Sequence, residues 1–571
     1  MINIEQSVVN RMPWLDAQPK LVTQPAFGLL RKLVHEEEIN AFLAEHQALK
    51  NFSFIDKVFD YFNFSYSLSA KSRANIPAEG RVVIVANHPV GSLDGLALLR
   101  AVGEIRRDVK IVANDLLTSF TQIEDLLLPL DNLGRASFRK SYKAVVQALE
   151  AECAVIVFPA GEVSRASPLG IRDGRWQTGF LHFIRKTKAS LLPVHIEAKN
   201  SALFYSLSML YKPLSTLWLA REMFNKNHTD IHFTVGDPIS VRVLDSVQVA
   251  DRHLAQRIKK YLYKMGRGKS KGFVTEKTIA HPEPATEVKR QLEQAQRLGN
   301  TRDDKAIYLC DYEEDSPLMR ELGRLREKTF RKVGEGTGSR RDLDGYDRVY
   351  QHLVLWDNTR YTIAGAYRLG NCKTIMQTQG LHGLYTSELF NYQPAALPLL
   401  AQAVELGRSF VAPDYWGKNS LDYLWQGLGA LLQHRPDVRY LVGPVSMSAD
   451  IEKPLRDRLV HHYQSFHASP QTLAISKAPF VLEPHIQEAL DLEMGECDRE
   501  TSFRRLQAAF ASANCKMPVL FKQYAALFEE GGFTLMDFGV DREFGHCVDG
   551  LFIADLTRLK AAKRKRYLGG Q

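Results

Sequence analysis

Apolar runs alternate with amphipathic stretches through the first 280 positions. Residues 82–86 (VVIVA) are apolar throughout, as in a strand covered on both faces, and 110–113 and 154–158 (AVIVF) repeat the theme. Residues 191–196 and 230–235 are further strand candidates, and 141–153 and 179–188 read as helices. This alternation predicts an α/β layer fold. After position 305 the order changes. A strand at 306–310 leads to a helix over 317–333, and a hairpin joins 352–356 to 361–369 through a turn at Asp357 and Asn358. A strand at 407–411 then enters a glycine-containing loop and a helix over 421–433, with Leu421, Leu424, Trp425, Leu428 and Leu431 on one face. That order predicts an α+β domain with a mixed sheet. Between the two patterns HPEPAT (281–286) interrupts the helical signal, and a polar helix is expected at 287–298, ending at Gly299 and Asn300. The expected division is residues 1–285, a linker over 286–304, and residues 305–571.

Composition narrows the classes. With 571 residues, 45% hydrophobic and 24% charged, the chain has room for two or more globular domains and is not a disordered, collagenous or coiled-coil protein. The six cysteines are scattered without a CxxC pair, which fits a reducing cytoplasm; no metal site is expected. The start, MINIEQSVVNRMPW, lacks the basic and apolar regions of a signal peptide. The most apolar stretch, 206–220, contains Lys212 and Pro213, so no membrane span is expected and the chain is read as soluble or peripheral.

Charge then adds a direction. The net charge is +9: residues 1–280 hold 37 basic and 27 acidic residues (+10), and the rest hold 37 and 38 (−1). Nine basic residues fall within 252–277, interleaved with Ile258, Tyr261, Leu262, Tyr263 and Met265. Such a segment suits an anionic lipid surface, each basic side chain contributing about 1 kcal/mol there. No nucleic-acid partner is expected.

The sharpest chemical signal is ANHPVGSLDG (86–95), directly after the VVIVA strand. A histidine at a strand end is placed to act as a base, and a nearby aspartate can hold its other ring nitrogen. His88 and Asp94 are six residues apart and would not share a helix face, so Pro89 and Gly91 must fold Asp94 back, at the first turn of the next helix. A second loop, FPAGEVSR (158–165), also follows a buried strand and offers Gly161, Glu162 and Arg165, with Arg172, Arg175 and Trp176 behind it. There is no GxSxG elbow and no HExxH. His461, His462 and His467 lack carboxylate or thiol company at zinc spacing and read as surface residues.

Together the two loops resemble the glycerolipid, or lysophosphatidate-acyltransferase-like, acyltransferases, with their Asn-His-x4-Asp and Phe-Pro-Glu-Gly-Thr-Arg blocks about 70 residues apart. Leu192, Pro193 and Val194 resemble a later proline block. Five residues rather than four separate His88 from Asp94, and Ala160 stands where the family has Glu, with an acid at Glu162 instead. Those departures resemble the hemolysin-like and ornithine-lipid O-acyltransferase subgroup, as do 199–205 (KNSALFY) and 235–239 (VGDPI). The resemblance implies direct acyl transfer: His88 deprotonates a lipid hydroxyl, Asp94 orients His88, Asn87, Gly161 and Glu162 line the site, and Arg165 anchors an anionic group. Backbone donors near Gly161 would hold the oxyanion.

In the second half, ELGRSFVAPDYWGKNS (405–420) feeds a helix whose start can bind phosphate, with Lys418 adding charge. Residues 344–355, the hairpin end at 364–368, YTSELF (385–390), this segment, and FGHCVDG (544–550) resemble the GNAT branch of ornithine acyl-carrier-protein N-acyltransferases, related to the acyl-homoserine-lactone synthases. The resemblance implies a GNAT-like α+β domain, a 3-hydroxyacyl donor on acyl carrier protein, an amino acid acceptor and no bound cofactor. Glu405 is then a catalytic residue and Arg408 an acceptor-binding one, without a decision as to which helps deprotonate the amine. The whole resembles the bifunctional ornithine lipid synthases, peripheral on the cytoplasmic face of the inner membrane. The alternative is a lone lysophospholipid O-acyltransferase with a degenerate GNAT-like half.

Overall fold

The computed structural model describes residues 5, 20–113, 120–129, 135–167, 170–201, 230–269 and 271–569. The chain divides into two compact units, Met1–His281 and Pro282–Gln571. The apolar stretch 206–220 and residues 202–205 of the KNSALFY block lie outside the described residues.

The first unit holds strands β1 (Ser65–Leu68), β2 (Val82–Ala86), β3 (Val109–Ala113), β4 (Leu127–Pro129), β5 (Ala154–Val157), β6 (Arg165–Ser167), β7 (Gly170–Arg172), β8 (Ser190–Glu197) and β9 (Asp230–Val235). Seven form one sheet in the order β1-β9-β8-β2-β5-β3-β4, parallel at every joint except β8–β9; β6 and β7 make a separate hairpin. The continuous VVIVA run has a direct cause. Val82, Ile84 and Ala86 pack with helices Asn51–Phe62 and Ser92–Gly103, while Val83 and Val85 face helices Arg135–Glu150, Gly179–Thr187 and Asp251–Met265 on the other side. Both faces of β2 are therefore buried, and no polar position is tolerated along it.

The basic segment differs from expectation. Ile258, Tyr261, Leu262, Tyr263 and Met265 of helix Asp251–Met265 are all buried in the unit's interior and cannot enter a membrane. Lys260, Lys264, Lys269 and Lys271 remain exposed. No helix among the described residues is long and apolar enough to cross a membrane.

The second unit continues with β10 (Gln296–Asn300), β11 (Lys305–Cys310), β12 (Gln351–Asp357), β13 (Thr362–Asn371), β14 (Phe390–Tyr392), β15 (Ala403–Val411), β16 (Tyr440–Met447), β17 (Ala474–Ser476), β18 (Phe533–Asp541) and β19 (Cys547–Asp555). Its main sheet runs β10-β11-β12-β13-β15-β16-β19-β18, the mixed sheet expected, with β15–β16 its one parallel pair. That pair is registered only over Ala403, Val404 and Glu405 against Tyr440, Leu441 and Val442. Beyond it Pro444 supplies no amide to a ladder, and a bulge in β15 sets Arg408 at a φ of 46°.

Three expectations need correction here. Residues 286–304 are not a linker, and the helix expected at 287–298 is shorter. Ala285–Leu292 is a helix whose Val288 and Leu292 are buried in the second unit's core, and β10 pairs antiparallel with β11. His461, His462 and His467 are not on the surface: all lie on helix Lys453–His467 with under 9% exposure. His461 faces Asp491 at 2.7 Å and His462 faces Ser502 at 2.8 Å, and burial lowers His462 to about 3.

Candidate active sites

In the first unit β2 and β5 are parallel neighbours, so the loops leaving their carboxyl ends lie side by side, at the edge where open α/β sheets bind ligands. The chain passes from β2 through β3 and β4 before β5 inserts between β2 and β3. His88 is stacked on Phe158 of the second loop, ring centres 4.1 Å apart. Pro89 and Gly91 turn the chain into helix Ser92–Gly103, and Asp94 in its first turn reaches back to His88, Nδ1 to Oδ2 at 3.2 Å. The same Oδ2 accepts the amides of Val90 at 2.7 Å and Gly91 at 3.1 Å, and Asp94 is fully buried. An ionised carboxylate only accepts, so Nδ1 carries the hydrogen and Nε2 keeps the lone pair. His88 itself is partly exposed. The result is an oriented base with one ring nitrogen available to a hydroxyl.

The other expected residues divide. Glu162 and Arg165 pair with each other at 3.3 Å beside the site. Asn87 does not face it: its Nδ2 donates to the Ile196 carbonyl at 2.9 Å and its Oδ1 accepts the Ile196 amide at 2.8 Å, so it clamps β2 to β8. The Gly161 amide donates to the Phe158 carbonyl at 3.1 Å and closes a turn, so it is spent as an oxyanion donor. From the KNSALFY block, Asn200 donates to the Pro89 carbonyl at 3.0 Å and steadies the histidine loop.

Asp173, which the motifs did not single out, is the hub beneath the loops. Its Oδ1 accepts the His88 amide at 3.1 Å and the Ser164 hydroxyl at 2.5 Å, and its Oδ2 accepts the Trp176 indole N–H at 2.8 Å. Its amide donates to the Tyr263 hydroxyl at 2.9 Å. Lys259 donates to the carbonyls of Asp173 and Gly174, each at 2.6 Å, and burial lowers its ammonium pKa. A lone Asp eight residues beyond the end of its nearest motif has no sequence signature.

In the second unit the parting of β15 from β16 opens a cavity. Leu406, Gly407, Arg408 and Ser409 form one wall and Pro444 and Ser446 the other, with Glu335, Tyr385, Tyr524, Phe544 and Asp549 around them. Arg408 lies 4.8 Å over the Tyr385 ring and 5.0 Å over Phe544, and donates to Asp342 at 3.1 Å and Asp344 at 3.3 Å. A non-glycine residue in the left-handed region costs on the order of 1–3 kcal/mol, and such strain gathers at working sites. Here the bonds to two carboxylates hold it.

Glu405 is not in this cavity. It is 1% exposed, its Oε1 accepts the Thr386 amide at 2.7 Å, and its Oε2 accepts the Tyr350 hydroxyl. Burial pushes its carboxyl upward against those bonds. These bonds make it a brace joining β15 to the Tyr350 and Thr386 segments. Lys418 is exposed, donates to the Asp414 carbonyl at 2.9 Å, and precedes helix Ser420–Gln433; it does not wall the cavity.

Two acids of the cavity had no role in the sequence reading. Asp549 lies in the FGHCVDG block, and burial, with Asp541 adding to it, pushes its carboxyl up to about 7. Glu335 lies in the GEGTG stretch at 334–338, and burial, with Asp549 adding, pushes it up to about 8.

Comparison with known proteins finds one family match in each unit. Residues 16–267 match a family model described as an acyltransferase, and residues 325–426 one described as an acetyltransferase (GNAT) domain. The chain is 30% identical over 273 residues to a lyso-glycine lipid O-acyltransferase of Bacteroides thetaiotaomicron, covering 46% of this chain and 97% of that protein. It is 30% identical over 296 residues to a glycine N(alpha)-acyltransferase of the same organism, covering 49% of this chain and 86% of the relative. An L-ornithine N(alpha)-acyltransferase of Rhodobacter capsulatus is 28% identical over 270 residues, 44% of this chain and 92% of that protein.

Proposed function

Since this chain belongs to the aminolipid acyltransferase family, an acyltransferase unit followed by a GNAT unit, we propose that it makes a two-chain aminolipid by consecutive N- and O-acylation. The second unit transfers a 3-hydroxyacyl group from acyl carrier protein to the amine of an α-amino acid. The first unit then acylates the hydroxyl of that chain. The acceptor is ornithine in the resemblance drawn from the motifs, while two of the relatives are named for glycine.

The observation that carries the reading is the His88–Asp94 pair at the carboxyl end of β2. Nε2 of His88 accepts the hydroxyl proton as the oxygen attacks the acyl thioester, and Asp94 steadies the imidazolium that forms. The enzyme needs no nucleophile of its own. Arg165, held beside Glu162, meets the carboxylate that the acylated amino acid retains. In the second unit Arg408 meets the same carboxylate on the free amino acid, and the amides before helix Ser420–Gln433, with Lys418, meet the phosphate of the carrier's arm. The exposed lysines of the first unit's basic segment hold the protein at an anionic lipid surface.

The test supplies the full chain with 3-hydroxyacyl carrier protein and labelled glycine or ornithine in parallel, and identifies the lipids by mass spectrometry. The parent yields mono- and diacyl product from one of the two. His88→Ala stops at the mono-acyl amino acid, its O-acylation falling about 10²–10⁴-fold. Unchanged diacyl product from His88→Ala would remove the assigned role.

A further inference from the structure

The cavity between β15 and β16 holds one cation and two acids: Arg408 on one wall, Asp549 and Glu335 facing it. An α-amino acid carries one carboxylate and one ammonium; the lining offers a guanidinium to the first, beside its bonds to Asp342 and Asp344, and carboxyl groups to the second. The ammonium must lose a proton before nitrogen can attack, and a group that takes it must lie where the amine lies. Glu405 does not line the cavity, and its oxygens accept from Tyr350 and Thr386.

Asp549 has the geometry. Its Oδ1 accepts the Ser446 hydroxyl at 2.6 Å and lies 3.6 Å from the Cys547 thiol, and its Oδ2 makes no hydrogen bond among the described residues. The two bonds on Oδ1 fix the carboxylate's orientation while the second oxygen stays available. Arg408 from β15, Asp541 from the end of β18 and Glu335 from the loop after helix Pro317–Lys332 are the charged groups around it.

We infer that Asp549 is the base that takes the proton from the acceptor's amine, with Arg408 holding the acceptor's carboxylate; this rests on the reading of the second unit as an N-acyltransferase. The ammonium gives one proton to Oδ2. The freed nitrogen lone pair forms the C–N bond at the thioester carbonyl, and the C–S bond breaks with its electrons on sulfur. The second nitrogen proton ends on that sulfur, leaving an amide and a free thiol, and Asp549 releases its proton to water.

The test compares two acceptors in the full chain at pH 7: the amino acid the parent uses, and aminooxyacetate, whose amine is already neutral there. Asp549→Asn should lower kcat with the amino acid about 10²–10⁴-fold with KM nearly constant, while aminooxyacetate reacts within about tenfold of the parent. Equal loss with both acceptors, or none with either, overturns the assignment. Should Asp549→Asn not fold, Ser446→Ala replaces it. Loss of the Ser446 hydrogen bond destabilises the Asp549 carboxylate, so the acidic limb of kcat against pH must move to higher pH, and an unmoved limb overturns the assignment. If the unsubstituted chain acylates neither acceptor on nitrogen, the N-acyltransferase reading itself fails.

Discussion

Glu405 and Asp549 show how alike two buried carboxyls look in a sequence and how differently they serve. Glu405 has both oxygens committed to Tyr350 and Thr386, and burial raises its pKa. Glutamine reproduces its size and most of its bonding. Glu405→Gln should therefore keep N-acylation within about tenfold of the parent, where loss of a true base costs about 10²–10⁴-fold. Steady-state assay with the amino acid acceptor separates the two. His88 and Asp94 were legible because they are local: six residues, a proline and a glycine fix their meeting. Asp173 and Asp549 were not, because their partners come from distant elements, Tyr263 and Lys259 for one and Ser446 for the other. Asn87 sat in a legible motif yet has a bracing role, since its partner Ile196 lies on β8, over a hundred residues on.

Helix Asp251–Met265 carries the same lesson one level up. Its basic residues, interleaved with apolar ones, suited an anionic lipid surface, and the apolar ones are the face that packs on the sheet. Periodicity announces an amphipathic helix without saying what covers its apolar side. The lysines also divide. Neutralising Lys260, Lys264, Lys269 and Lys271 should weaken binding to anionic vesicles and flatten its salt dependence, since exposed charges are screened over about 8–10 Å at 0.10–0.15 M. Lys259→Ala should instead cost about 1–3 kcal/mol of stability, by leaving the Asp173 and Gly174 carbonyls without their donor. Vesicle sedimentation and urea unfolding read the two effects separately. β10 was hidden for a related reason. QRLGN has no strand pattern of its own and is a strand because β11 offers it an edge.

For the molecule as a whole, both fold classes were legible in the order of elements; the units meet at His281 and Pro282, where a division through a linker over 286–304 was expected. What lay beyond reading was that the second unit begins at once. A fragment spanning Pro282–Gln571 should unfold cooperatively and N-acylate an amino acid. A fragment starting at residue 300 loses helix Ala285–Leu292 and β10, uncovers Leu292's site in the core and bares the edge of β11, so it should aggregate or unfold at lower denaturant. Calorimetry and size-exclusion chromatography of the two fragments make the comparison.

The three-residue joint between β15 and β16 has one more consequence. Five strands lie on one side of it and three on the other, so the main sheet is two stiff leaves sewn by a few stitches at one end. Such a seam breathes more readily than the ladders flanking it. In deuterated water the amides at the joint between Ala403–Glu405 and Tyr440–Val442 should exchange ahead of those inside either leaf, and an amino acid bound in the cavity should slow them. The substrate would then supply the cohesion that the polypeptide leaves out.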